Sequence, residues 1–126
     1  MTHTVTYNPV LGVIETVAHG NLTLREAKDI ISEITQVAAE KDCFLCLSDY
    51  RNATIDMSTL QIHDLPRILS DLVISFGFRP SKFKRAIIAE KNSRDFRFFE
   101  TVTLNQGQQI RLFHDLDEAK QWLFEK

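Results

Sequence analysis

The chain predicts an α/β domain on a mixed, largely parallel five-stranded sheet, and three observations carry that prediction. Runs of β-forming residues alternate with apolar stretches of helical period. Four capping signals open the helical stretches: Thr23-Leu-Arg-Glu26, Ser58-Thr-Leu-Gln61, Ser93 with its neighbours Asn92 and Asp95, and Asp115-Leu-Asp-Glu118. The strands between them are almost continuously hydrophobic, as strands covered on both faces are.

With 126 residues there is room for one core, so residues 1–126 are expected to form a single domain. A net charge of -2, with basic residues scattered, offers no concentrated cationic field for nucleic acid or an anionic membrane. The one short basic cluster, Lys82-Phe-Lys84-Arg85, reads as a solvated strand entrance. No apolar run approaches the ~20 residues of a membrane span. Met1-Thr-His-Thr4 lacks the basic and apolar regions of a secretion signal, so a cytoplasmic location is expected.

Thr4 to Asn8 and Gly12 to Ala18 flank Asn8-Pro9-Val-Leu-Gly12, a Pro- and Gly-containing turn, and predict an opening β-hairpin closed by His19-Gly20-Asn21. The first helix follows Thr23, with Leu24, Ala27, Ile30, Ile31, Ile34, Val37 and Ala38 on one arc and Lys28, Asp29, Glu33 and Gln36 opposite. Cys43 to Asp49 predicts a central strand ending in polar residues from Tyr50 to Asp56.

Pro66 cannot occupy a helix interior without losing a hydrogen bond and clashing with the preceding turn. A short helix from Ser58 to about Asp64 is therefore expected, then a second starting at Pro66 and running towards Gly77; one kinked helix is the alternative. Phe83 to Ala89 predicts a further strand, and the helix after Ser93 buries Phe96, Phe99, Val102 and Thr103 before Gly107. Gln109 to Phe113 predicts the last strand. The last helix, after Asp115, turns Leu116, Ala119, Trp122 and Leu123 inward.

Cys43 and Cys46 form a C-x-x-C. Read on one strand, residues three apart face opposite sides, which suits two core cysteines better than a disulfide or a zinc site. His63 and His114 stand near the loop ends, but no local motif pairs either with Cys43 or Asp49 as a nucleophile and base. No catalytic residue, metal site or cofactor is expected.

In parallel sheets ligands and partners dock where the strands' carboxyl ends meet the loops, here 49–58, 90–95 and 114–117. Asp49, Tyr50, Arg51 and Asn52 are the densest polar group there. Arg51 can receive an anion or a partner carboxylate with Asp49 fixing its direction, or the group is a strand-terminating turn. Asp56, Ser58 and Thr59 follow. Ser58 reads as an N-cap, and a phosphate at that helix start would also meet free N–H groups. Phe78, after a glycine, and Phe98, at the margin of its helix's apolar arc, are candidates for an exposed aromatic interface or an apolar ligand pocket, or else for core.

The opening hairpin, the strand Leu45-Cys-Leu-Ser-Asp49 and the tail complete the pattern. The tail is Asn105-Gln-Gly107, then Ile110-Arg-Leu-Phe113-His-Asp-Leu-Asp-Glu-Ala-Lys-Gln-Trp122-Leu123. On these features the chain resembles the STAS, or anti-sigma-factor-antagonist, fold, in particular the small bacterial SpoIIAA-like "STAS/SEC14" proteins. The resemblance implies a βα superhelix with four to five helices and a non-enzymatic regulatory module. It also implies a protein partner and a homodimer or, alternatively, a small apolar ligand held as the SEC14-like name suggests. The family's phosphoserine stretch, Asp-Ser-Ser-Gly-Leu, reads Asp56-Met57-Ser58-Thr59-Leu60 here. Met57 stands at the phosphoacceptor position and Thr59 at the glycine, and Ser58 matches the neighbouring serine.

Overall fold

Asn8 starts the first chain reversal. Its Oδ1 accepts hydrogen bonds from the amides of Val10 (3.0 Å) and Leu11 (3.1 Å), and Gly12 takes the left-handed conformation, φ +71°, that closes the turn. The turn joins β1 (Thr2–Asn8) to β2 (Val13–Leu22), which pair antiparallel from Thr2↔His19 to Asn8↔Val13. The computed structural model describes residues 2–91 and 93–125. Met1, Asn92 and Lys126 lie outside them, and with Asn92 part of the third capping signal.

The chain then alternates through α1 (Leu24–Lys41), β3 (Leu45–Ile55), α2 (Thr59–Ser75), β4 (Lys84–Ile88), α3 (Arg94–Leu104), β5 (Gln109–Phe113) and α4 (Leu116–Leu123). A single 3-10 turn, Pro80–Lys82, precedes β4. The strands order β1-β2-β3-β4-β5, and every neighbour pair after the hairpin is parallel. This is the mixed, largely parallel sheet that the alternation predicts.

All four helices start at their predicted caps. The side chains of Thr23, Ser58, Ser93 and Asp115 accept from the amides of Glu26, Gln61, Phe96 and Glu118 at 3.2–3.3 Å. At Ser58 the box is reciprocal, since Gln61 Oε1 accepts from the Ser58 amide at 2.9 Å. One core unites α1, α2 and α3 with Cys46, Tyr50, Ile87 and Ile110 on one face of the sheet. The other gathers Ala119 and Leu123 of α4 over Val13, Leu47, Ala86, Ile88 and Phe113. The sheet thus carries three helices on one side and one on the other.

Three expectations are corrected. β2 does not stop at His19-Gly20-Asn21, nor β3 at Asp49; they extend each other in register through Gly20↔Ala53, Asn21↔Thr54 and Leu22↔Ile55. The Leu22 carbonyl then accepts from the Asp56 amide at 2.8 Å. Cys43 is not in a strand. It follows Asp42, which leaves α1 in the left-handed conformation (φ 49°), so strand alternation does not separate the two thiols. Cys43 and Cys46 are free, buried and part of the same core. Third, α2 is one helix with Pro66 in its interior, not two. An interior proline costs about 3 kcal/mol in a helix left to itself. Here Ile62, Leu65, Pro66 and Leu69 are all buried against the core, and that packing holds the helix across the missing donor.

Candidate functional site

The register of β3 sets the rim. Between Val17↔Asp49 and His19↔Asn52, β2 advances two residues and β3 three, so β3 carries an extra residue at Tyr50–Arg51. This bulge aims Tyr50 inward, where it is 8% exposed and stacks on Phe96 with ring centroids 5.7 Å apart. Asp49 and Arg51 stay on the α4 side. Arg51 Nε and Nη2 donate to Asp49 Oδ1 (2.9 Å) and Oδ2 (2.8 Å), and the Arg51 amide also donates to Oδ1 at 3.1 Å. The Arg51 hydrogen bond holds the Asp49 carboxyl below the usual range against partial burial, and Asp49 in return raises the exposed guanidinium.

The predicted rim group therefore divides. Asp49, Arg51 and Asn52 lie on a strand and not in a polar loop, and Tyr50 leaves the surface altogether. Asp56, Ser58 and Thr59 are exposed at the entrance to α2. Leu60, in the first turn, is 70% exposed. β4 pairs with β3 only from Leu45 to Asp49, so Arg51–Ile55 has one free edge. Beside it lies an open groove of ≈ 500 Å³ lined by Ala53, Thr54, Ile55, Glu90, Ser93, Arg94 and Asp95.

Phe78 and Phe98 are part-buried. Phe78 meets Phe44 and Phe83 edge-on at 5.4 and 6.3 Å, and Phe98 packs on the main core. Both are half-buried and pack against the core. His63 Nδ1 lies 3.3 Å from Asp64 Oδ1, His114 Nδ1 lies 3.1 Å from the Ala89 carbonyl, and Cys43 Sγ donates to the Gly12 carbonyl at 3.3 Å. These groups are engaged separately. Among the described residues no group of three or more potential ligands could hold a metal ion, and no helix is long and apolar enough to cross a membrane.

A second region had no counterpart in the expectations. Beneath α1 and α2 two adjoining small hollows, of ≈ 20 and ≈ 40 Å³, share Ile31, Ile34, Leu69 and Arg85 in their walls. Ser48 and Tyr50 line the larger one, Ser70 and Gln108 the smaller. Burial pushes the Tyr50 phenol up to about 12, with the Ser48 hydroxyl drawing it partly back, so the phenol keeps its proton. The cluster Lys82-Phe-Lys84-Arg85 is thus no uniform solvated entrance. Lys84 turns to α4, where its Nζ donates to the Trp122 carbonyl at 2.7 Å, and Arg85 turns under α1 and α2. Strand alternation at adjacent positions is the signal for this: one of the two had to face a helix layer.

The fold is SpoIIAA-like. Among solved structures the chain is similar to an uncharacterized protein of the DUF3478 family with a SpoIIAA-like fold from Shewanella loihica PV-4. The two share 18% identity and a TM-score of 0.58 over 96% of this chain and 93% of that one. It is also similar to the anti-sigma factor antagonist SpoIIAA in its unphosphorylated form (9% identity, TM-score 0.56, 97% of each chain). The Bacillus cell fate determinant SpoIIAA in the phosphorylated form matches at 11% identity and a TM-score of 0.53, over 97% of this chain and 99% of that one. No family model matches the chain, and no curated protein matches it.

Proposed function

We propose that this chain is a non-enzymatic, regulatory protein-interaction module of the cytoplasm. Its partner docks on the rim formed by Asp49, Arg51 and Asn52 with Asp56, Ser58 and Thr59. One observation carries the reading: Leu60, a large apolar side chain 70% exposed, stands in the first turn of α2 among polar, exposed neighbours. An apolar anchor with a polar surround is how a small docking surface is built. Two of the similar structures are of a named anti-sigma factor antagonist, one unphosphorylated and one phosphorylated. That supports a phosphate-sensitive version of the reading, with Ser58 or Thr59 as acceptor at the start of α2.

The test is quantitative affinity purification of wild type, Leu60→Asp and Arg51→Ala from the native host. A specific partner should be retained by wild type and reduced at least tenfold by Leu60→Asp. An unchanged set of retained proteins sinks the proposal. Intact mass of the 56–61 peptide after incubation with lysate and ATP tests the phosphate-sensitive version separately.

A second reading, a carrier of a small apolar ligand, rests on the two small hollows, where Ile, Leu, Val and Phe side chains stand beside Ser48, Tyr50, Ser70, Arg85 and Gln108. Native mass spectrometry of the purified protein tests it: a co-purifying small molecule supports the carrier, and a bare chain counts against it.

A further inference from the structure

We propose that the free edge of β3, Arg51–Ile55, takes a short, basic, extended segment of a protein partner as a sixth strand of the sheet. The inference rests on the rim reading and names what the rim binds, backbone laid against backbone.

The direction of the backbone argues first. The Leu22 carbonyl accepts from the Asp56 amide at 2.8 Å, so Asp56 faces β2. Alternation along the strand turns Thr54 to β2 with it, and turns the amides and carbonyls of Ala53 and Ile55 to the other side. There β4 has already ended. Its last pair with β3 is Asp49↔Ile88, and the next amide, that of Ala89, donates to the Phe113 carbonyl at 3.0 Å. Among the described residues no hydrogen bond reaches the backbone of Ala53 or Ile55 from that side. Their side chains pack in the core on the α1–α3 face, so backbone is what they offer at the edge. A row of unpaired amides and carbonyls is a template for another strand.

The groove argues second. It occupies the place that a longer β4 would fill, between Ala53–Ile55 and the start of α3 at Ser93, Arg94 and Asp95. An extended chain takes roughly 160 Å³ per residue, from a rise of about 3.3 Å, a strand spacing of about 4.8 Å and a layer spacing of about 10 Å. The ≈ 500 Å³ groove therefore admits about three residues, the span over which Ala53 and Ile55 present their groups. With α3 as its far wall it suits a single chain, whereas the sheet edge of a second copy would bring its own helix layers.

Charge sets the kind of segment. Asp49, Asp56, Glu90 and Asp95 stand along the strand and groove against two guanidiniums, Arg51 and Arg94. Arg51 is already bound by both oxygens of Asp49, so the surplus is acidic and suits lysine or arginine in the partner.

NMR titration of the isotope-labelled protein with the peptide acetyl-Lys-Val-Thr-Val-Lys-amide tests the assignment. The Ala53 and Ile55 amide resonances should move downfield and saturate. A copy N-methylated at every amide keeps the charge, loses the donors and should bind at least about tenfold more weakly. An acidic copy, acetyl-Glu-Val-Thr-Val-Glu-amide, should bind about fivefold more weakly, and Glu90→Lys should narrow that gap. Ala53→Pro deletes a donor on the free side without touching the β2 ladder, and should weaken the basic peptide at least about fivefold. Should that variant lose its amide dispersion, Glu90→Lys, a change to an exposed side chain, carries the test. Equal binding of the parent and N-methylated peptides, or no response at Ala53 and Ile55, overturns strand addition. So does a concentration-dependent shift of these two amides without peptide, which assigns the edge to a second copy. In affinity purification, a partner lost with Leu60→Asp but kept with Ala53→Pro and Glu90→Lys leaves the rim reading standing and removes the sixth strand. A partner set unchanged by all three variants overturns both.

Discussion

Asp49 and Arg51 clasp each other from positions two apart on one strand, with two side-chain hydrogen bonds of 2.8 and 2.9 Å and a third from the Arg51 amide. The bulge beside them puts Tyr50 on the opposite face, so the pair is a surface feature with a buried phenol behind it. Arg51 is thereby pre-aimed. Its direction is set before any partner arrives, which lowers the ordering cost of docking.

This clasp has a pH signature. The Asp49 carboxyl is held below its ordinary 3.8, so its stabilising contribution is present above that value and lost as pH falls through the lower folded-state value. Asp49→Asn should therefore lose stability at neutral pH and show a shallower decline on acidification than wild type. Urea midpoints measured from neutral to strongly acidic pH check this, and Arg51→Ala should return the Asp49 carboxyl towards its ordinary range by NMR titration.

Ser58 should matter to stability whether or not it is ever modified. It closes a reciprocal capping box with Gln61, and its replacement by alanine should cost about 1 kcal/mol. Ser58→Gly should cost only a few tenths, roughly, because glycine tolerates the cap backbone. Chemical denaturation of both variants measures the difference.

Thr16 predicts a gain. Its hydroxyl is buried at 1% residue exposure and has no hydrogen-bond partner. Thr16→Val keeps the shape and removes the unpaired group, so it should stabilise the domain by about 1 kcal/mol. A lower urea midpoint for the variant would refute this account of the site.

Pro66 sets packing against propensity. Pro66→Ala restores the donor towards the Ile62 carbonyl but empties part of a buried position, and each methylene removed costs about 0.8 kcal/mol plus a cavity term. The opposing effects should leave stability within about 1 kcal/mol of wild type, well short of the ~3 kcal/mol an unpacked helix would gain. Denaturant titration distinguishes the two.

Helix starts were legible because a cap is a local contact: Thr23, Ser58, Ser93 and Asp115 each reach an amide three residues on. Strand ends were not, because they depend on the neighbour. Leu22 and Ile55 are in strands only because each pairs with the other. The bulge at Tyr50–Arg51 likewise exists between two strands, and it decides which rim residues stay outside. Arg85 hid for a similar reason. Lys82 and Lys84 make it read as one of a basic cluster, and the helices that pack beside it arrive from elsewhere in the sequence.

Cys46 gives the molecule a built-in reporter. It is 0% exposed at the centre of the sheet, and burial pushes its thiol up to about 12, so it offers no thiolate while the sheet is closed. Its reaction with a disulfide reagent should wait on global opening, whereas Cys43, 9% exposed where α1 gives way to β3, should react through local fraying. The ratio of the two labelling rates would then time, without any engineered probe, how much earlier that junction loosens than the sheet comes apart.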